Sequence, residues 1–527
     1  MCSPGRLQTN PRRLERAFQM NSTRRNIAKR KARAERRIKR RDERDHGRPM
    51  LDAGGIRYDA SERVNGIAAG GIGAIAQVAR ASGLAREIDS RVRALKYHRP
   101  YHESDHVLSI AMNVVAGGTC LEDLELRRND PAFLDALGTR MVPDPTTAGD
   151  FCRRFDSPKI DDLQTAINEA RLRVWAQQPE GFLDEATIDV DGSLVLTGGE
   201  CKEGADFTYK GDFGYHPLVT SLANTDEVLS IANRSGNRPS HEGASAELDK
   251  AIALVRRAGA RKVLARGDTD FSQTEHLDRW DADGVHFIFG YDARKNLVEL
   301  AESQPEAAWA RLRRKPKYTV TSATRTRRRR VKDEIVRDRE YLNYHLLREE
   351  ITETEYQPTA CSKPYRMVML KKTISVERGQ RLIYPEVRYF FYITNVRDLS
   401  SREVVFSAND RCRQEKLIGQ LKSINALHAP LDNLHSNWAY MVMATLAWNL
   451  KAWFGLLLPV TGRWKEKHLA EKREVMKMHF KRFQTSFIQI ATQIVRTARR
   501  VIFRLIGYNP FASTLVRMAD SLVGRTL

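Results

Sequence analysis

The sequence predicts a mixed α/β protein: a sheet-based central region, interrupted by a β-rich insertion and flanked by helical regions. Two observations predict this. From about residue 182 three short strand-like runs follow one another (ATIDVDGSLV, YHPLVTSLAN, EVLSIANRSG), and then helical and strand-like segments alternate. On either side, apolar residues recur at helical spacing, as in GGIGAIAQVARASGL. At 527 residues the chain exceeds one hydrophobic core, so several domains are expected.

In order, residues 1–50 read as a basic disordered tail. Between Arg24 and Arg41 stand eleven Lys or Arg and a single acid, Glu35. Such a run attracts phosphate by counterion release, and no apolar core follows it as in a secretory signal. Residues 51–180 read as helical. PDPTTAGDFCRRF looks like a turn and a helix start, with Thr146 or Thr147 as candidate caps. The pairs Arg127–Arg128 and Arg153–Arg154 could touch phosphates or simply be solvated.

Residues 181–290 carry the first part of the sheet domain. After its three strands, EGASAELDKAIALVRRAGA is an amphipathic helix, KVLARGD a strand, SQTEHLDRWDADG a helix and VHFIFGYD a strand. Residues 291–400 are too long for a loop and read as an inserted subdomain. They hold the cluster Arg325–Arg330 and the β-rich runs YRMVMLKKTIS and VRYFFYITNV. NDRCRQEKLIGQLK opens the second part of the sheet domain, 401–460, and 461–527 reads as a basic helical region. The apolar run Ala439–Leu458 contains Asn449 and Lys451, so a buried helix is expected rather than a membrane span.

The net charge of +22 favours a polyanionic partner. The six cysteines show no CxxC pair or short Cys/His spacing, which argues against a zinc site or disulfide framework and fits a reducing cytoplasm.

Three acids stand where a soluble fold has little use for them. Period-2 alternation puts Asp189 and Asp191 on one face of the first strand, with Asp191 at its end before Gly192 and Ser193. Active-site groups gather at that edge of α/β sheets. Asp268 ends the strand VLARGD in the same way, while Asp270 reads as a helix-start residue. In the helix RCRQEKLIGQLK, Arg411, Glu415, Ile418 and Lys422 fall near one stripe. Two strand-end aspartates and a helix glutamate could hold two Mg²⁺ ions for phosphoryl transfer, since this ion prefers hard oxygen ligands.

TIDVDGSL resembles the first motif of the haloacid dehalogenase-type phosphatases, in which Asp189 would be a nucleophile and Asp191 an acid/base. That leaves the charge, the Arg411–Glu415–Lys422 stripe and the insertion without a purpose. The fuller pattern resembles a DDE transposase of bacterial insertion sequences, closest to the IS1380 family in the IS4-like group. It comprises IDVDGS, GYHPL, RSGNRPSHEGA, ARGDTDF, the Glu415 helix and HSNWAYMVMATLAWNL, in that order across roughly residues 100–460.

The resemblance implies an RNase H-like catalytic domain with Asp191, Asp268 and Glu415 as an acidic triad holding Mg²⁺, for which Mn²⁺ could substitute. Asp189 stays open as a secondary acid. The implied activity is cleavage and strand transfer on double-stranded DNA, at terminal inverted repeats and a target. Arg411 and Lys422 would contact phosphates, and so would Arg327, Arg328, Arg329 and Arg330 in the insertion. A tyrosine that related families carry on this helix is replaced by Ala408. The resemblance also implies a homodimer in the synaptic complex, a bacterial, nucleoid-associated location and no membrane. A DNA-binding protein without catalysis remains the other alternative.

Overall fold

The computed structural model describes residues 11–39, 65–208, 211–272, 274–314, 342–378, 381–497 and 501–523. The chain forms two compact units, one from residues 1–179 and 420–527, the other from residues 180–419.

The first unit opens with α1 (Pro11–Lys39), a 29-residue helix within the segment expected to be a disordered tail. Arg, Lys, Ala and Glu are strong helix formers, and no Gly or Pro interrupts them there. Arg30 ties this helix down by donating to the Leu505 and Gly507 carbonyls at 2.7 and 3.0 Å. Next come β1 (Gly66–Ile67), α2 (Ile72–Ala81), α3 (Leu84–Arg91), α4 (Glu103–Val115), α5 (Leu124–Arg128), α6 (Pro131–Leu137), α7 (Pro145–Cys152) and α8 (Ser157–Trp175).

Asp144, rather than either threonine, caps α7: its carboxylate accepts from the Thr147 N–H at 2.9 Å, and Pro145 fills the first helical position. Three of the four paired arginines are engaged internally. Arg153 pairs with Asp150 and Asp432, Arg128 with Glu125, and Arg127 donates to Asn113 while lying over Phe133.

The second unit is built on a sheet of nine strands among the described residues, in the order β10-β11-β12-β13-β9-β8-β2-β6-β7. Its strands are β2 (Glu185–Gly192), β6 (Leu218–Leu222), β7 (Glu227–Ala232), β8 (Lys262–Gly267), β9 (Val285–Tyr291), β10 (Ala310–Arg311), β11 (Leu342–Tyr356), β12 (Tyr365–Arg378) and β13 (Arg381–Thr394). Between β2 and β6, three short strands, β3 (Val195–Leu196), β4 (Asp206–Phe207) and β5 (Phe213–Tyr215), make a small separate sheet. The strand β2 is central: β6 and then β7 continue antiparallel on one side, β8 and then β9 parallel on the other.

Two helices link the strands on the parallel side, α9 (Ala244–Arg257) before β8 and α10 (Leu277–Ala282) before β9; α11 (Lys295–Glu302) follows β9. Buried Leu248, Ala251, Ile252 and Val255 form the apolar face of α9.

The β-rich stretch does not fold as a layer of its own. β13 pairs with β9 through Phe391–Thr394, so the insertion lengthens the central sheet at its parallel edge. The helix α12 (Ser401–Asp410) then lies across this junction. Its Val404 and Val405 are fully buried among Ile288, Ile351, Val368 and Leu370, which places α12 on the face of the sheet that carries those residues. A capping box of Ser400 and Glu403 starts it. The Arg327–Arg330 cluster lies outside the described residues.

The chain turns once at Arg411 and continues as α13 (Cys412–Ser423), then α14 (Leu434–Leu457), α15 (Lys465–Lys477) and α16 (Phe480–Phe483). Nearly every residue of α14 from Ser436 to Leu456 is buried, as expected of a core helix. Among the described residues no single helix is long and apolar enough to cross a membrane. The C-terminal region, expected to be helical, also contains the hairpin β14 (Thr492–Arg496) and β15 (Val501–Leu505), which pairs with β1 before α17 (Ala512–Leu522).

Candidate active site

The two aspartates of β2 face different surroundings. The register sets Asp189 opposite Arg266 on the neighbouring parallel strand. Arg266 donates Nε and Nη2 to the two Asp189 oxygens at 2.7 and 2.8 Å, and the side chains are 6% and 1% exposed. The third arm of that guanidinium donates to the Ser407 carbonyl at 2.7 Å, near the end of α12. Asp189 thus ties two strands and, through Arg266, a helix together, with both of its oxygens engaged by the guanidinium. Sequence alternation could not detect this, because the partner lies far along the chain.

Asp191, one step further along the same face, reaches the end of the sheet. Gly192 is needed directly after it, since a Cβ there would come 2.8 Å from His216 Nε2 and 3.3 Å from Arg234 Nη2. Asp268 follows the end of β8 and caps the short 3-10 turn Thr269–Phe271, accepting from the Asp270 N–H at 3.1 Å. The cap of this turn is therefore Asp268 itself, and Asp270 sits in the first turn, exposed.

Arg411 joins the two acids. Its Nη1 donates to Asp191 at 3.1 Å and its Nη2 lies 3.5 Å from Asp268 Oδ2. It holds this position because it is the hinge residue between α12 and α13, with the Ser407 carbonyl four residues earlier fixed by Arg266.

Glu415 lies one turn into α13, exposed, and forms no hydrogen bond or ion pair among the described residues. Its charge is nonetheless felt at both aspartates. Burial pushes the Asp191 carboxyl up to about 6; Arg411 opposes this, and Asp268 and Glu415 add to it. Asp268 is raised by burial too, again against Arg411, with Asp270 and Glu415 contributing. Three acids around one arginine leave the cluster short of positive charge.

The residue before Glu415 was missed by sequence reasoning. Gln414 is buried, donates to the Val219 carbonyl on β6 at 2.9 Å and accepts a hydrogen bond from the Ser221 hydroxyl. It pins the start of α13 to the antiparallel side of the sheet. An amide inside a Lys/Arg-rich helix carries no sequence signal for this. Lys422 lies two turns beyond Glu415 on α13, exposed, in the stretch belonging to the first unit.

Carboxylate oxygens with raised proton affinity suit a hard divalent cation. The cage is not preformed, however: among the described residues no three His, Cys, Asp or Glu side chains group closely enough to hold a metal ion, and Arg411 supplies the charge between the aspartates.

The family model for the transposase DDE domain group 1 matches residues 67–525. This chain belongs to that family. No curated protein matches it. Among solved structures it is similar to a piggyBac transposase in a synaptic complex with hairpin DNA, with 10% identity, 77% of this chain and 78% of that chain covered, and a TM-score of 0.32.

Proposed function

We propose that this transposase-family chain cuts and joins DNA at the ends of a mobile element, with Asp191, Asp268 and Glu415 as its metal-holding acids. The observation that carries this reading is the convergence of two strand-end aspartates on one guanidinium, with Glu415 close enough to raise both. An RNase H-like assignment for the sheet is supported by its strand pattern: a central strand with an antiparallel meander on one side and two parallel strands on the other. The IS1380-like placement rests on the motif order alone.

In this reading two Mg²⁺ ions, or Mn²⁺, bound by the three acids would activate the attacking oxygen and offset charge on the leaving one. The chain's own residues do the rest. Arg411 stands where a phosphate approaching the acids would meet it, and its planar fork suits two phosphate oxygens. Arg266 and Gln414 hold Arg411 and Glu415 at their positions from either side of the sheet. Lys422, the Arg327–Arg330 cluster and the basic helix α1 supply sequence-independent affinity for the DNA backbone. Because two element ends must be brought together, the working assembly is at least a homodimer.

A phosphatase reading requires Asp189 as a free nucleophile, and the paired, buried state of that residue opposes it. The deciding experiment is cleavage of a labelled duplex carrying the element's own end, with Mg²⁺ or Mn²⁺, by the full chain and by Glu415→Gln and Asp191→Asn. Metal-dependent cutting that both substitutions abolish is expected. A chain that binds the duplex but never cuts it would be a DNA-binding protein only, and the reading would fall.

A further inference from the structure

The acid row of the sheet continues to a residue that nothing above has used. Asp189 pairs with Arg266, so Asp191 falls level with Asp268, whose backbone is still extended. Gly267 pairs with Phe289 on β9, which sets Asp268 level with Gly290. Gly290 in turn pairs with Tyr392 on β13. Asp191, Asp268, Gly290 and Tyr392 therefore form one cross-sheet row, and residues level across neighbouring strands point to the same face.

In this row a glycine lies between the second acid and the tyrosine, and the Asp268–Thr269 backbone takes the space a side chain there would need. A Cβ on Gly290 would come 2.7 Å from the Thr269 nitrogen and 2.9 Å from the Asp268 carbonyl carbon. The backbone carrying Asp268 thus folds closely over Gly290, on the face that Tyr392 shares. Strands lie about 4.8 Å apart, so a phenol two strands from Asp268 is within reach of a group held at the acids.

Tyr392 rests on the cluster that α12 forms with the sheet, and so does Ala408. Tyr392 as a whole keeps some exposure while its phenol is the more buried part, and the hydroxyl has no hydrogen-bond partner among the described residues. Arg411 and Arg314 lie within electrostatic range of it, yet burial pushes the phenol up to about 12, so the hydroxyl keeps its proton and serves as a donor.

We propose that Tyr392 contacts the substrate at this site, its hydroxyl donating to a non-bridging oxygen of the scissile DNA phosphate. The inference rests on the transposase reading above. Strand β13 comes from the insertion, so the insertion contributes to the chemistry as well as lengthening the sheet. Arg411 and Tyr392 approach the phosphate from two different elements, a hinge and a strand.

The test is Tyr392→Phe in the full chain, which keeps the ring on its cluster and removes one oxygen. Single-turnover cleavage of the end duplex would be measured with a normal scissile phosphate and with each of its two phosphorothioate diastereomers. The expected result is a rate lowered about tenfold to a hundredfold on the normal phosphate, the scale of a hydrogen bond to a charged oxygen. Sulfur accepts hydrogen bonds poorly, so on one diastereomer the parent-to-variant ratio should shrink towards one, and on the other it should persist. A variant that cuts as fast as the parent overturns the proposal. A ratio equal on all three substrates overturns it too, because a merely structural role for the ring would act alike on each. A parent that cuts no duplex at all brings down the transposase reading and this inference with it. That outcome is distinct from a parent whose cutting is lost in Glu415→Gln but unchanged in Tyr392→Phe.

Discussion

Without a divalent cation, Asp191 is a liability to the fold, and Asp191→Asn should reveal how large. Its carboxyl lies at about 6 in the folded chain, against 3.8 for a free aspartate, and the side chain is only 15% exposed. A folded state that keeps its proton to a higher pH than the unfolded chain gains stability in acid. That gain is complete below about 3.8, declines as pH rises to about 6, and is gone above it. A shift of about two units corresponds to about 3 kcal/mol, and because the charge of Asp268 contributes to it the figure belongs to the cluster. Asparagine has the same shape and no titration. With a chelator present, the difference in unfolding free energy between variant and parent should therefore move about 3 kcal/mol in the variant's favour between pH 4 and pH 7.5. Urea unfolding followed by tryptophan fluorescence, with Trp280 buried in the second unit, measures it. Adding Mg²⁺ at pH 7.5 should then stabilise the parent more than the variant. A difference that stays flat across this pH range would refute the charge shortage described here, and with it the electrostatic argument for a cation.

The supports of the site give further expectations. Arg266→Met leaves Asp189 buried without a partner and should cost about 3–5 kcal/mol in urea unfolding, and Asp189→Leu in the same chain should recover most of that. Gln414→Leu strands the Val219 carbonyl and should cost about 1–3 kcal/mol, with a larger fall in DNA cleavage than in DNA binding because Glu415 is the residue displaced. Gly290→Ala forces its new methyl group against the backbone at Asp268–Thr269. It should weaken the response of thermal stability to Mg²⁺ more than it weakens stability itself, and an unchanged metal response would show that the close approach there is not needed.

What the sequence could and could not disclose follows from the range of the interactions involved. Period-2 alternation and turn residues are local, and they located β2, β8 and β9 and brought Asp191 and Asp268 to the sheet's end. The different surroundings of Asp189 and Asp191 come from Arg266, a pairing set by the register of two strands joined through α9 and the antiparallel meander. Local alternation treats the two aspartates alike and only the turn at Gly192 and Ser193 sets Asp191 apart in the sequence, whereas the pairing of Asp189 needs that register. The same holds for the insertion. Its strands were legible as strands, but their continuation of the central sheet depends on β13 meeting β9, with residues 292–380 between them along the chain. That edge-to-edge continuation is also what brings Tyr392 into the acid row. The helix motif shows Ala408 as a loss when read alone. In the folded chain Ala408 packs against the same apolar cluster as Tyr392, so the helix motif and a strand far from it in sequence share one core.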